Sequence, residues 1–372
     1  MKIGAAHLEY RKDHGIETVS AKIADRLAAW GNDVHFHCVR HRHEGDSRVQ
    51  FHKVPVISVF NTLKLATFAP MAHRQLQHGG YDITHSHGTV LGSDVITAHG
   101  CHRAGIKKLG WSEGLGTADK VRFWLEAQNY QERKYGRIIA VSRLTKRELM
   151  EEYTVPGSDI SVVPPGTDPV DLQEISRHRR AVRSRYGIGE EDVVLLFIGH
   201  EFRRKGLDTV LRACAAMNNQ HVHLWIGGED VPGKFEVLAR KCGIGNRTRF
   251  LGFQEGLSPI YAGADIFVFP THYDAFGLVV LEAMAHGLPV IVSKTAGVAE
   301  DVIREGTHGI LLENPASYEE LAQASSALIA DASTRQRMGI AGREQAGQLS
   351  WDACARGTLE VFEEVVRQKA LI

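Results

Sequence analysis

Apolar residues in this chain fall into short β-rich bursts that alternate with stretches of helical periodicity. Residues 2–6 and 34–39 are such bursts, and between them residues 15–30 read as an amphipathic helix that Gly31-Asn32-Asp33 ends. Tyr81-Asp82 leads into a strand with the sequence ITHSHG; residues 95–98 and 137–142 are further apolar runs, 145–153 is helical, and 160–163 closes the series before Pro164-Pro165-Gly166. After a basic helical segment at 176–186 the alternation starts again. It has strands at 193–199, 222–228 and 248–253, helices from Leu207 and Gly233, and a final strand–helix–strand unit at 264–293. Two such series predict two doubly wound α/β domains facing across a cleft, with the boundary within 165–190.

A chain of 372 residues suits two cores better than one. Lys+Arg and Asp+Glu both number 44, so bulk charge gives no sign of a nucleic-acid partner. Cys38, Cys101, Cys214, Cys242 and Cys354 are scattered without a CxxC pair, which fits a reducing compartment and gives a structural zinc site no support. The N-terminal residues carry no apolar run of signal-peptide length, and no segment approaches the roughly 20 apolar residues that span a bilayer. The expectation is a cytoplasmic protein, soluble or peripheral to the membrane.

Histidine is abundant, at 20. The pairs His35/His37, His41/His43, His85/His87 and His99/His102 lack the HExxH spacing or companion cysteines of a zinc site. They read as surface or hydrogen-bonded side chains, and no metal is expected. Neither domain opens with GxGxxG: the first turns read IGAAHL and IGHEFRRKG, which counts against a dehydrogenase.

The densest signal is ADIFVFPTHYDAFGLVVLEAMAHGLPVIVS, residues 264–293. A buried strand stops at Pro270, a polar connection follows, and a helix of good formers closes at Gly287 before the next strand. Gly277 lets backbone approach a ligand where that helix begins, at amides that attract an anion such as a diphosphate. Glu282 lies about one turn further in, within reach of sugar hydroxyls. A second signal, Gly199-His200-Glu201-Phe202-Arg203-Arg204-Lys205-Gly206, sits between a strand and a helix, at the carboxyl end of the sheet where ligands of open α/β folds bind, and its cations suit an anionic ligand. The competing readings are a helix-capping Asp274 with a solvated Glu282 for the first motif, and a plain solvated surface for the second.

Asp274, seven residues, then Glu282 resembles the acidic-x7-Glu motif of the GT-B nucleotide-sugar glycosyltransferases, specifically the retaining family 4, with Asp where the family usually has Glu. The resemblance implies a GT-B fold of two Rossmann-like domains. Residues 1–170, with a returning C-terminal helix about 355–372, would bind the acceptor, and residues 171–354 the nucleotide sugar. It implies that Asp274 contacts the donor sugar, Glu282 the ribose, and Arg204 and Lys205 the diphosphate together with Phe276, Gly277 and Leu278. Arg203 would face solvent. Many members have Gly-Arg where this chain has Gly199-His200, so one cation is absent or supplied from elsewhere.

Asp13-His14-Gly15 opens the first helix, and Gly15 resembles the family's diphosphate-approach glycine, although an ordinary helix-opening turn fits equally. His99 resembles a histidine beside donor sugar and acceptor, with a structural strand-end histidine as the alternative. Phe253 resembles the segment that contacts the base, and Ser142 a recurring strand-end serine. The implied activity is retaining transfer of a hexose from a nucleotide-diphosphate sugar, a UDP-sugar foremost, without metal or other cofactor. The acceptor would be a glycan, glycolipid or lipopolysaccharide-type molecule. Residues 101–124 mix Arg103, Lys107 and Lys108 with Ile106, Leu109 and Trp111, which suits the inner face of the cytoplasmic membrane or merely a mixed surface. A GT-B sugar-nucleotide 2-epimerase and a non-catalytic nucleotide-sugar binder are the rival readings.

Overall fold

The computed structural model describes residues 1–12, 15–42, 48–111, 115–254 and 256–371. Asp13, His14 and His43, named above, lie outside the described residues. The chain divides into one unit of Met1–Gly166 with Trp351–Ile372, and a second of Thr167–Ser350. Each boundary falls four residues earlier than the 170/171 and 354/355 divisions expected from sequence.

In the first unit the strands are β1 Lys2–Ala6, β2 Glu9–Tyr10, β3 Asp33–Cys38, β4 Arg40–His41, β5 Gln50–Lys53, β6 Ile83–Ser86, β7 Ser93–Ala98, β8 Tyr135–Ala140 and β9 Ile160–Val162. Seven of them form a parallel sheet in the order β5-β3-β1-β6-β7-β8-β9, and β2 pairs separately with β4. The second unit holds β10 Val193–Ile198, β11 Val222–Gly227, β12 Thr248–Gly252, β13 Ile266–Phe269, β14 Val290–Ser293 and β15 Gly309–Leu312, in the parallel order β12-β11-β10-β13-β14-β15. All six residues of β10 and all four of β13 and β14 are buried. Helices cover both faces of a parallel sheet, so its strands are apolar on both sides, and this is why they stood out as unbroken runs.

The last helix, Trp351–Lys369, packs on the first unit against the helix Gly15–Ala29 and β8. Its buried stripe is Trp351, Cys354, Ala355, Thr358, Val361, Phe362 and Val365, a three-and-four spacing. Leu359 and Val366, also apolar, are only half-buried. Arg26–Asp352 at 2.8 Å, Arg137–Glu364 at 3.2 Å and Lys369–Asp94 at 2.6 Å tie its polar edge to the same unit. Among the described residues no helix is long and apolar enough to cross a membrane.

Candidate active site

In chain order the second sheet runs third, second, first, fourth, fifth, sixth, so the winding reverses between β10 and β13. Ligands of open α/β sheets bind at the carboxyl ends of the strands at such a reversal. The loop 199–206 leaves β10 there, and the loop 270–277 leaves β13 beside it. Both loops end in a glycine with positive φ, Gly206 at 78° and Gly277 at 101°, and each glycine is the N-cap of the helix that follows. A Cβ on Gly206 would stand 2.1 Å from the Pro270 carbonyl oxygen, so the two loops touch only because this residue has no side chain. Neither helix start has a side-chain cap.

The loops are stitched together by polar contacts. The His272 amide donates to the Arg204 carbonyl at 2.9 Å, and Arg204 Nη1 donates to the Tyr273 carbonyl at 2.7 Å. Arg204 Nε also pairs with Glu201. The Lys205 ammonium is in contact with the Asp274 carboxylate, 5.0 Å from the centre of the Phe269 ring. Side-chain exposures of 8% for Lys205 and 19% for Asp274 make this a largely buried ion pair. Arg203 is exposed.

Asp274 is not the helix cap, since Gly277 holds that position. Its Oδ1 accepts from the Phe276 amide at 3.1 Å, and its backbone carbonyl accepts from Gly297 N at 3.0 Å. The Phe276 carbonyl in turn accepts from Val298 N at 2.7 Å, and Thr295 Oγ1 donates to the Thr271 carbonyl. The acid-bearing loop is thereby laid against residues 295–298. Burial raises the Asp274 pKa, but Lys205 and then Arg204 outweigh it and hold the carboxyl below the ordinary value of 3.8. Burial likewise lowers the Lys205 ammonium from 10.5, against the opposing pull of Asp274.

On the helix that follows, Glu282 is half-buried, and its Oε2 accepts from the Tyr261 hydroxyl at 2.8 Å. Tyr261 went unmarked in the sequence because nothing local separates it from a core tyrosine. Phe276 and Gly277 are buried and Leu278 half-buried at the start of the same helix. Phe253 follows the edge strand β12, two strands across from β10, with its carbonyl accepting from Gln254 Nε2 at 3.1 Å. His200 Nδ1 accepts from the Glu229 amide at 3.1 Å, so His200 fastens the loop to the residues just past β11.

The first unit repeats the pattern. Its winding reverses between β1 and β6. His7 follows β1, His87 follows β6 and His99 follows β7. His87 Nδ1 lies 2.9 Å from His99 Nε2, and the His7 and His87 rings meet edge-on at 5.9 Å. Burial, aided by neighbouring imidazoles, lowers His99 to about 3 and His87 well below its usual value, so both are neutral at pH 7. His7, His35, His37, His85 and His87 are buried, and the last four are hydrogen-bonded to other side chains, the second of the two alternatives read from sequence. Among the described residues no group of histidine, cysteine and acids is arranged to hold a metal ion. Gly15 begins its helix exposed, and a Cβ there would meet no atom within 4 Å, so packing does not demand that glycine. Ser142 caps the helix Arg143–Tyr153, accepting from Thr145 N at 3.0 Å.

Two doubly wound parallel units, one with paired cations and a glycine-opened helix at its reversal, make up the GT-B glycosyltransferase fold. The crystal structure of WaaG, a glycosyltransferase involved in lipopolysaccharide biosynthesis, superposes with a TM-score of 0.84 at 22% identity, over 97% of this chain and 99% of that one. That of Anabaena Alr3699/HepE in complex with UDP-glucose does so at 0.75 and 17% identity, over 100% of both chains. Residues 178–345 match the family described as Glycosyl transferases group 1, and residues 14–171 match Glycosyltransferase Family 4. The D-inositol 3-phosphate glycosyltransferase of Geodermatophilus obscurus is 30% identical over 332 residues, 81% of this chain and 71% of the relative. The lipopolysaccharide glucosyltransferase WaaG of Escherichia coli K12 is 27% identical over 316 residues, covering 82% and 84%. The chain belongs to the group 1, family 4 glycosyltransferases: it is an enzyme that transfers a sugar from a nucleotide-sugar donor to an acceptor.

Replacing Asp274 with Asn leaves a buried ammonium without its counter-charge. Urea unfolding at pH 7 should show a loss of about 3 kcal/mol. Because the folded Asp274 pKa lies below 3.8, the stability it contributes is present above that pH and disappears as pH falls through the folded value. The gap between variant and native protein should therefore close on acidification below 3.8. A gap that persists there would show that the carboxylate charge is not its source.

Proposed function

We propose that the donor diphosphate is held at the reversal of the second sheet by Lys205, Arg204 and the helix start Phe276–Leu278, with Glu282 on the ribose and Asp274 on the transferred sugar. The observation that carries this reading is the meeting of Lys205 with Asp274 where two uncapped helices begin. An arriving diphosphate competes with Asp274 for the ammonium. Once the ammonium turns to phosphate, the carboxylate beside it is released to accept from sugar hydroxyls. Charge that accumulates on the departing phosphate then meets fixed cations and amide dipoles, which lowers the barrier without a resident metal.

A retaining course follows by front-face attack. The leaving phosphate oxygen takes the proton of the acceptor hydroxyl on the same side of the ring, so no separate protonated carboxylic acid of the glycosidase kind is required. His99, neutral beside His87, serves as a hydrogen-bonding rather than a charged group toward sugar hydroxyls. A UDP-sugar is the donor we favour, in line with the UDP-glucose bound by HepE. By likeness to WaaG the acceptor is a lipopolysaccharide-type or lipid-linked glycan.

Such an acceptor would be met at the cytoplasmic face of a membrane. Ile57, Val59, Phe60, Trp111 and Trp124 are large apolar side chains exposed on the first unit. Thr62 and Thr117 hydroxyls 3.5 Å apart bring the starts of the helices Asn61–His78 and Thr117–Glu126 together, and Lys120 is exposed on the latter. Lys107 and Lys108 are bound to Glu152 and Glu148, so apolar insertion outweighs charge in this reading.

Among UDP-, GDP- and ADP-sugars, a UDP-sugar at a hundred times its Kd should stabilise the folded protein by about 2.7 kcal/mol in a thermal-shift assay. Lys205→Ala should remove most of that shift and lower transfer by about 10²- to 10³-fold. Near-native transfer by the variant would refute the diphosphate assignment. Co-sedimentation with anionic vesicles at low salt is the expected result for the membrane reading, and protein left in the supernatant with every vesicle would end it.

A further inference from the structure

The carboxylate assigned to the ribose does not stand alone. Tyr261 lies on the short helix Ser258–Gly263 that precedes β13, and Glu282 lies on the helix Leu278–Ala285 that follows it. The Tyr261 ring is 1% exposed, so its hydroxyl is brought by the core and not by a mobile surface residue. That hydroxyl donates to Glu282 Oε2 at 2.8 Å and lies 3.2 Å from the Val279 carbonyl.

His286 fixes the ring from the other side. It stacks on Tyr261 with centroids 4.9 Å apart and an interplanar angle of 26°. Its Nδ1 lies 2.8 Å from the Glu282 carbonyl, which can only accept, so Nδ1 carries the proton and Nε2, 3.0 Å from Ser258 Oγ, accepts from that hydroxyl. Burial lowers the His286 pKa and keeps this tautomer neutral. Burial, then Glu282, raises the Tyr261 phenol well above its usual value, so the hydroxyl stays protonated and remains a donor. One carboxylate oxygen is thus oriented through a stacked tyrosine–histidine pair that bridges the helices on either side of β13.

We infer that Tyr261 is a positioning residue for the donor nucleotide: by holding Glu282 Oε2 it aims the carboxylate at the ribose hydroxyls and sets the enzyme's discrimination for them. The inference rests on the reading of Glu282 as the ribose acid. A carboxylate free to rotate would lose the geometry needed to accept from two vicinal hydroxyls, while the diphosphate contacts would be untouched.

The test is calorimetric titration of the full-length enzyme with UDP, 2′,3′-dideoxy-UDP and inorganic pyrophosphate, in native protein, Tyr261→Phe and Glu282→Gln. Phe keeps the ring and its stack on His286. Tyr261→Phe should weaken UDP about tenfold, as expected for loss of a hydrogen bond to a charged group. It should reduce the UDP-to-dideoxy preference by the same factor, leave pyrophosphate binding unchanged, and leave kcat at saturating donor within about twofold. If Glu282→Gln abolishes the ribose preference while Tyr261→Phe retains it, the inference fails and the ribose assignment stands. A native preference in Glu282→Gln overturns the ribose assignment itself, and with it the inference. A uniform fall for all three ligands in Tyr261→Phe also overturns the inference, because the tyrosine is then only part of the packing.

Discussion

The contact between Lys205 and Asp274 organises the second unit's candidate site. The two residues are 69 positions apart, on loops that leave adjacent strands at the point where the sheet reverses direction. Each would be costly to bury alone, and together they cost less than either one unpaired. Gly206 allows the loops to approach and the Arg204 side chain joins them through a backbone carbonyl, so the pair is held where two helices begin. A site of this construction is neutral when empty and presents a cation when an anion displaces the carboxylate. That property is what the proposed diphosphate site relies on.

Much of this architecture was legible in the chain because parallel strands buried on both faces leave continuous apolar runs. The six-residue β10 and the four-residue β13 and β14 are of that kind. The helix Asn61–His78 gave no comparable signal: Pro70 lies inside it, and its buried positions, Leu65, Phe68, Ala69, Ala72 and Leu76, include two small alanines among neighbours of mixed polarity. Its stability comes from packing, with one backbone donor lost at the proline. The helices Tyr318–Ala330 and Ala332–Gln348 were equally quiet, being rich in alanine and polar residues that suit helix and surface alike.

Within the site, residue types and spacing marked Lys205, Asp274 and Glu282 one by one. Their partnerships were not readable, since the ion pair and the Tyr261–Glu282 bond depend on which strands become neighbours. The histidines illustrate the same divide. Alternation along β3 puts His35 and His37 on one strand face, and His85 on β6 is followed by His87 just past the strand end. Only the packed sheet reveals that these positions are interior, and that His87 and His99 share a hydrogen bond while remaining uncharged. The first unit therefore offers neutral imidazoles at its reversal, where the second offers cations.

The assignment of the Lys205–Asp274 site to a diphosphate is tested most directly by where a nucleoside diphosphate binds. A crystal structure of the full-length enzyme with UDP should find the β-phosphate within hydrogen-bond reach of Lys205 Nζ and of the amides that follow Gly277, with the ammonium turned from Asp274 toward phosphate. UDP bound at any other place, with the Lys205–Asp274 pair intact, would contradict it.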